Sequence, residues 1–398
     1  MTPNLAQKIT REIAQKTLTL FAVSGLMSAS LVSVSLISGT LAFSTLVSHA
    51  ASAEPIPVTG ENWQLSEKGA AIADHKGRPS LRINRGAATL KGAPFKNGII
   101  EFDISMKEER GFGGVYFREQ GLNSEYFYLR AHQSGNPDAN QYVPRTNGVS
   151  AWQIYYGERY AVPTTYNFGD WIHVKLAVKD NKMDVYIDSD KPVLHVDNLA
   201  FGVSEGGIRF GGAVQDFHYS NINITRTDDV TLVGTAPPLA ALPDGIISTF
   251  DVGTRVLPAA DVEAKLMLNP AHMTGQTWQR VKVGEKGIAN LSEVAPRTRE
   301  INTLLVRLRI TADKAQTLPI KYGFSDRVTV FLNGKAIAHG DDSFVTRDYR
   351  FLGTVGLYDT LFAHLNEGEN ELIFAVTEGF GGWAITAQVD DIPGISIR

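Results

Sequence analysis

Period-two alternation is the feature that most constrains this chain. In "NGIIEFDISM", Asn97 to Met106, the residues Ile100, Phe102, Ile104 and Met106 fall on one face of an extended strand, and Glu101, Asp103 and Ser105 on the other. Short runs of the same kind recur from Trp63 to about Arg226: "GVYFRE", "YFYLRAH", "SAWQIYYG", "WIHVKLAVKD", "KMDVYIDS" and "GGIRFGG", separated by Gly, Asn, Asp and Pro. No stretch here carries a convincing helical period. "KDNK", with Asp180 and Asn181 at its turn, joins two of the strands as a hairpin. The pattern predicts an all-β sandwich.

Past this block, "TAPPLAALPDG" holds three prolines and no strand pattern, and reads as a linker. Strands resume in "NTLLVRLRIT", "RVTVFLNG", "ENELIFAVTE" and "GGWAITAQVD", with turns marked at Asn333-Gly334 and Glu369-Asn370. "DVEAKLMLNP" reads as a short helix or an irregular lead-in. The expected organisation is an export segment over 1–53, a jelly-roll sandwich over 54–228, a Pro-rich linker over 229–244 and a second, smaller β-sandwich over 245–398.

The N-terminus belongs to another class of sequence. Lys8, Arg11 and Lys16 precede an uncharged run from Thr17 to Ser48, and "ASA" at Ala51 to Ala53 supplies small residues for cleavage near Ala50 or Ala53. Export is the expectation, to the periplasm, cell surface or medium, with no stable membrane span after cleavage. A retained anchor is the alternative, since a bilayer is crossed by about 20 apolar residues. The chain has no cysteine, which excludes disulfides, thiolate catalysis and thiolate-zinc sites. Its formal net charge of −4, with scattered basic residues, gives no footprint for nucleic acid.

The strand order "FKNGIIEFDIS", "GFGGVYFRE", "YFYLRAHQSGNPDANQY", "NGVSAWQIYYGE" and "GDWIHVKLAVKDNKMDVYID" resembles concanavalin A-like lectin and glucanase domains, among them laminin-G-like jelly rolls and 3-keto-disaccharide hydrolase domains. The second block, through "YGFSDRVTVFLNGKAI" and "LNEGENELIFAVTEGFGGWAITAQ", is similar to galactose-binding-like sandwiches. Family 16 glycoside hydrolases share the first fold and carry Glu-x-Asp-x-Glu or Glu-x-Asp-x-x-Glu on one strand. That resemblance implies Glu101 as nucleophile and Asp103 as its helper, with the general acid falling at Ser105 or Met106. Neither donates a proton at a useful pKa, so the route through two carboxylates about 5 to 5.5 Å apart lacks a member.

Binding is then the leading expectation. In "YFYLRAH", Tyr126, Tyr128, Arg130 and His132 alternate with apolar residues, and in "GVYFRE" Arg118 shares parity with Tyr116. Together with Glu101 and Asp103, and with Gln141, Tyr142, Gln153 and Tyr155 downstream, they are expected to form one polar face. Sugars ask for this mixture, because planar bidentate groups bond adjacent hydroxyls and aromatic faces stack on pyranose C–H patches. The expected partner is therefore a polysaccharide or oligosaccharide. The loop "AHQSGNPDANQY" carries enough oxygen donors to suggest calcium, or else an Asx-rich turn that bonds itself. Trp152 is assigned to the core by parity with Ile154 and Tyr156. His173 and His195 are read as surface residues, which leaves His132 as the histidine placed among other polar groups. In the second block Asp326, Arg347, Asp348, Glu378 and Trp383 are singled out, with a structural role preferred. Two alternatives stand beside binding. One is a glycoside hydrolase or lyase with His132 or Glu101 as acid/base, and the other a cell-surface protein-interaction module.

Overall fold

A computed structural model of the protein describes residues 54–344, 346 and 353–398. The expected export segment lies outside the described residues, as do Arg347 and Asp348. The described chain is all-β, two sandwiches of antiparallel strands. Among the described residues no helix is long and apolar enough to cross a membrane.

In the first sandwich the front sheet orders its strands Trp63–Leu65, Gly86–Leu90, Gly207–Ala213, Phe112–Gln120, Asn123–Arg130, Asn140–Thr146 and Val149–Ser150. The back sheet runs Leu194–Val196, Lys182–Ile187, Ile172–Lys179, Gly98–Ser105, Phe217–Arg226, Arg78–Ile83 and Ala70–His75. Alternation decides which side chains turn inward: Phe102, Val115, Phe117, Phe127, Leu129, Val174, Phe210 and Tyr219 fill the space between the sheets. Asp180 and Asn181 do form the expected two-residue turn, between Lys179 and Lys182.

Two local departures matter for the site. The Phe112–Gln120 strand bulges between Phe117 and Gln120, and Arg118 takes a positive φ of 52°. The segment expected as a strand in "SAWQIYYG" instead leaves the sheet after Ser150. There the amides of Ile154 and Tyr155 both donate to Ala151 O, at 3.0 Å each, so a turn replaces the alternation. "DVEAKLMLNP" is mostly irregular chain between two single-turn helices, Ala259–Val262 and Pro270–Met273.

The second sandwich packs a larger sheet, centred on Ile301–Ala312, Gly368–Thr377 and Arg327–Leu332, against a smaller one of Ala289–Asn290, Ala384–Gln388, Gln316–Ser325 and Asp359–Leu365. Asn333-Gly334 forms its hairpin turn, both residues at positive φ. Glu369 and Asn370 already belong to a strand, so that turn lies earlier in the chain, where the Asn370 side chain accepts from the amide of Asn366. Trp383 lies in the core, its indole N–H donating to Val376 O at 2.9 Å.

Residues 229–244 contain no strand, yet they are tied down. The amides of Val233 and Gly234 donate to Asp184 Oδ2 at 2.7 and 3.0 Å, and Asp184 Oδ1 faces His195 Nδ1 at 2.5 Å. His195 is therefore a buried partner of a buried carboxylate, not the expected surface residue. The two sandwiches meet where the Ala151–Tyr155 turn enters the second. Gln153 accepts from Ser325 Oγ (2.7 Å) and donates to Gly353 O (2.6 Å), its backbone pairs with Gly381 and Val355, and Ala151, Ile154, Ile288, Val355 and Ala384 close the seam.

Candidate functional site

The outer face of the front sheet is built in rows by strand register. One row runs Ala87, Gly211, Gly114, Tyr128, Gln141; the next runs Thr89, Arg209, Tyr116, Tyr126, Val143; a third sets Ala213 beside Phe112 and Arg130. The first row has no side chain beyond a methyl over three strands. Its Ala87 and Gly211 lie in the floor of a trough of about 330 Å³, walled by Phe112 on one side and by Tyr116 and Arg209 on the other. Glycine is required at Gly114, where a Cβ would lie 2.6 Å from Tyr128 Cα, and at Gly211 a Cβ would touch the Tyr116 ring at 3.0 Å.

The wall is a ladder of rings. Tyr116 and Tyr126 stack at 3.8 Å, Tyr126 and Tyr128 at 4.9 Å, and the Arg209 guanidinium covers Tyr116 at 3.7 Å. Arg209 is held by both carboxylate oxygens of Glu119, at 2.6 and 2.8 Å. At the other end Arg130 donates to Asp138 Oδ2 (2.6 Å), to Tyr128 Oη (2.7 Å) and to Gln141 Oε1, while Tyr128 itself donates to Gln141 Oε1 at 2.7 Å. Burial pushes the Tyr126 and Tyr128 phenols up, so both hydroxyls are neutral. His132 meets the edge of Phe112 at 5.2 Å. Burial, then Arg110 and Arg130, lower its pKa, which keeps the imidazole uncharged at neutral pH.

Of the expected residues, Tyr126, Tyr128, Arg130, His132 and Gln141 come together here. Glu101 and Asp103 do not: the Gly98–Ser105 strand belongs to the back sheet, so both carboxylates point out of the opposite side of the sandwich. Asp103 is spent there on Arg78 (2.6 Å) and His173 (2.8 Å). A catalytic pairing of Glu101 or Asp103 with His132 therefore has no geometric basis. It also follows that His173 is a carboxylate partner, and that the single polar face divides into two.

Four more expectations are corrected by the direction in which the side chains turn. Arg118 turns inward at its bulge and donates to Lys96 O, Gly202 O and Asp180 O at 2.6 to 2.8 Å, pinning loops rather than facing a ligand. Tyr142 lies inside the first core, its hydroxyl donating to the buried Glu125 at 2.6 Å. Gln153 is the buried plug of the seam, and Tyr155, no longer sharing its parity, turns toward Tyr142 and Tyr160. The calcium reading of the 131–142 loop fares no better. Asp138 is paired with Arg130, Asn136 bonds Gln133, Asn140 bonds Val162 and Thr164, and among the described residues no three His, Asp or Glu side chains converge on a metal position.

Phe112, Arg209 and Trp152 complete the surface without having been singled out for it. Trp152, expected in the core, leaves it through the Ala151–Tyr155 turn and places its ring 5.9 Å from the Arg130 guanidinium and 5.9 Å from Phe380 of the second sandwich. The available signal was the glycine pair in each of "GFGGV" and "RFGG". Those strands neighbour each other in space while lying some ninety positions apart in the chain, and no local pattern reveals that.

No protein-family model matches this chain, and no curated protein matches it. Several solved structures match parts of it. The carbohydrate binding module CBM66 from Bacillus subtilis is 18% identical, covering 40% of this chain and 93% of its own, with a TM-score of 0.32. A β-glucanase from Bacillus licheniformis is 12% identical over 44% of this chain and 97% of its own, with a TM-score of 0.33. A family 16 endo-glucanase from Bacteroides ovatus is 11% identical over 42% and 96%, with a TM-score of 0.31. At these values, function is argued from the side chains alone.

Proposed function

We propose that the trough on the front sheet recognises a polysaccharide or oligosaccharide, in a protein exported by its N-terminal segment. The observation that carries this reading is the glycine-floored trough walled by stacked tyrosines, with an arginine fixed near each end of the ring ladder. A pyranose laid on the small-residue floor would set its C–H patch against Phe112, since Tyr116 has Tyr126 on one face and Arg209 on the other, and its hydroxyls against the guanidinium of Arg209. Arg209 and Arg130 are already held by Glu119 and Asp138, so binding orders few side chains that were free before. The second sandwich, whose sequence resembles galactose-binding-like modules, would orient the trough or add a second weak contact.

The test is calorimetric titration with soluble β-glucan, xylan, galactan and fructan, with reducing ends assayed in the same samples. Arg209→Ala and Tyr116→Ala are expected to weaken binding of the recognised polymer by about tenfold or more. Glu101→Gln and Asp103→Asn, on the opposite face, should leave it within about twofold. Equal loss from back-face and trough variants, or no binding of any polymer, would overturn the reading. New reducing ends that disappear with a trough variant would turn recognition into cleavage.

A further inference from the structure

A second cavity lies in the seam, away from the trough floor. It has a volume of about 260 Å³ and draws its lining from both sandwiches: Tyr155, Tyr160 and Asn198 from the first, Glu285, Asn290 and Glu293 from the second. We propose that this seam cavity binds one neutral sugar ring, as a free monosaccharide or as the end residue of a glycan.

Size comes first. The volume falls just below the roughly 300 Å³ at which pockets for drug-sized ligands begin, which suits a single ring and little more. One wall is aromatic, with Tyr155 meeting Tyr160 at 5.1 Å and 69°, and Tyr142 behind it at 6.1 Å and 86°. Ile154 and Ile288 add apolar surface from the packed seam.

The polar groups around that wall are unspent. Among the described residues, no hydrogen bond or ion pair engages the Glu293 carboxylate, the Asn198 amide or the Tyr155 hydroxyl. Asn290 uses its Oδ1 on Ser292, which leaves its NH₂ to the cavity. Burial and the nearby Glu293 push the Tyr155 phenol up, so it enters as a neutral hydroxyl. Two donors, a carboxylate acceptor and a hydroxyl of both kinds thus face one small space, as vicinal hydroxyls require. Charge points the same way. Lys282 and Lys286 line the cavity with Glu285 and Glu293, and the Arg159 that pairs with Glu285 at 2.9 Å is itself balanced by Asp197 at 2.5 Å, so no net charge selects an ionic ligand.

The walls are also fixed before anything binds. The amide of Ala200 donates to Tyr142 Oη at 2.8 Å and that of Phe201 to the buried Glu125 at 3.0 Å, which holds the chain carrying Asn198. On the other side Tyr160 donates to Glu285 at 2.7 Å. The interior Glu125–Tyr142 pair, which plays no part in the trough, thereby acquires a positioning role.

No residue lines both the seam cavity and the trough. The experiment is saturation-transfer NMR on the full chain with glucose, galactose, mannose, xylose and N-acetylglucosamine in turn. At least one sugar should show transfer, and Glu293→Gln and Tyr155→Phe should each weaken it about fivefold or more, while Glu101→Gln on the back sheet leaves it unchanged. Glu293 is exposed and Tyr155→Phe keeps the ring, so both variants are expected to fold, as circular dichroism would verify. Absence of transfer from every sugar, or transfer indifferent to both seam variants, overturns the seam site. Transfer lost only with Arg209→Ala also overturns it, and assigns the sugar to the trough.

Discussion

Two buried titrations pull the stability of this protein in opposite directions. Glu378 is fully buried, its Oε1 accepts from the amide of Gly382 at 3.3 Å, and its Oε2 has no partner among the described residues. Burial, and then Asp326, push its pKa from 4.5 up to about 8 against the pull of Arg297. Between those values the folded state holds a proton that the unfolded state has released, so stability is full below pH 4.5 and falls as pH rises toward 8. On the back face His218 stacks on His75 at 3.8 Å, and Ser80, whose hydroxyl donates to Ala73 O, is left to accept from His218 Nδ1. Burial, then His75, lower His218 to about 4. Here the unfolded state binds the extra proton, so stability is full above pH 6.5 and falls as pH drops toward 4. His218 keeps part of its surface in water, so its share is about 1 kcal/mol after screening. Melting temperature from pH 4 to 9 should therefore peak in between. Glu378→Gln should flatten the alkaline limb, and His218→Phe, which keeps the stack, should flatten the acid one. Limbs unchanged in these variants would remove both groups from the account.

At the scale of strands, the outer face of the front sheet makes a sharper demand on two glycines than on any polar residue. Gly114 has no room: a methyl there would press on the backbone of Phe127 and Tyr128, which cannot yield without moving the strand. Gly114→Ala should cost about 1–3 kcal/mol in urea unfolding. Gly211→Ala meets only the edge of the Tyr116 ring, so it should cost under about 1 kcal/mol while raising the trough floor and weakening polymer binding. The reverse order of costs would show that the rings, and not the backbone, set the floor. Alternation within one strand was enough to place Tyr126, Tyr128 and Arg130 on a common face, and Phe127 and Leu129 beneath them. It could not say that the strand of Glu101 and Asp103 lies in the other sheet, because parity is a property of each strand and sheet membership belongs to the fold. It failed outright where the backbone left the extended form, at the Arg118 bulge and in the Ala151–Tyr155 turn. The histidines of the back face were missed for a related reason. His75 and His218 lie far apart in the chain and meet only when their strands flank the Arg78–Ile83 strand.

Across the whole molecule, both blocks were legible as sandwiches from their strand runs and turns, whereas the seam was not. Its parts come from a turn that reads as a strand, from Gly353 and Val355, and from the Gly-rich "EGFGGW" segment, none of which carries a signal for the others. Gln153 is the centre of that junction. Removing its amide leaves Gly353 O without its partner and Ser325 Oγ with Asp326 Oδ1 alone, 3.2 Å away, and an unpaired buried group costs about 1–3 kcal/mol. Arg159 is a second clasp, bonded to Asp197 at 2.5 Å, to Glu285 at 2.9 Å and to Pro237 O in the linker. With both clasps in place, the apolar patch of Ile154, Ile288 and Val355 and the seam hydrogen bonds should couple the sandwiches into one cooperative unfolding transition. Gln153→Ala should lower its midpoint, and Gln153→Ala with Arg159→Ala should split the calorimetric transition in two, because each sandwich keeps its own core while the coupling between them is lost. A single transition persisting in the double variant would mean that the apolar patch alone couples the two. A wild-type protein that already melts in two steps would mean that the seam couples them weakly, and its cavity would then open before either sandwich unfolds.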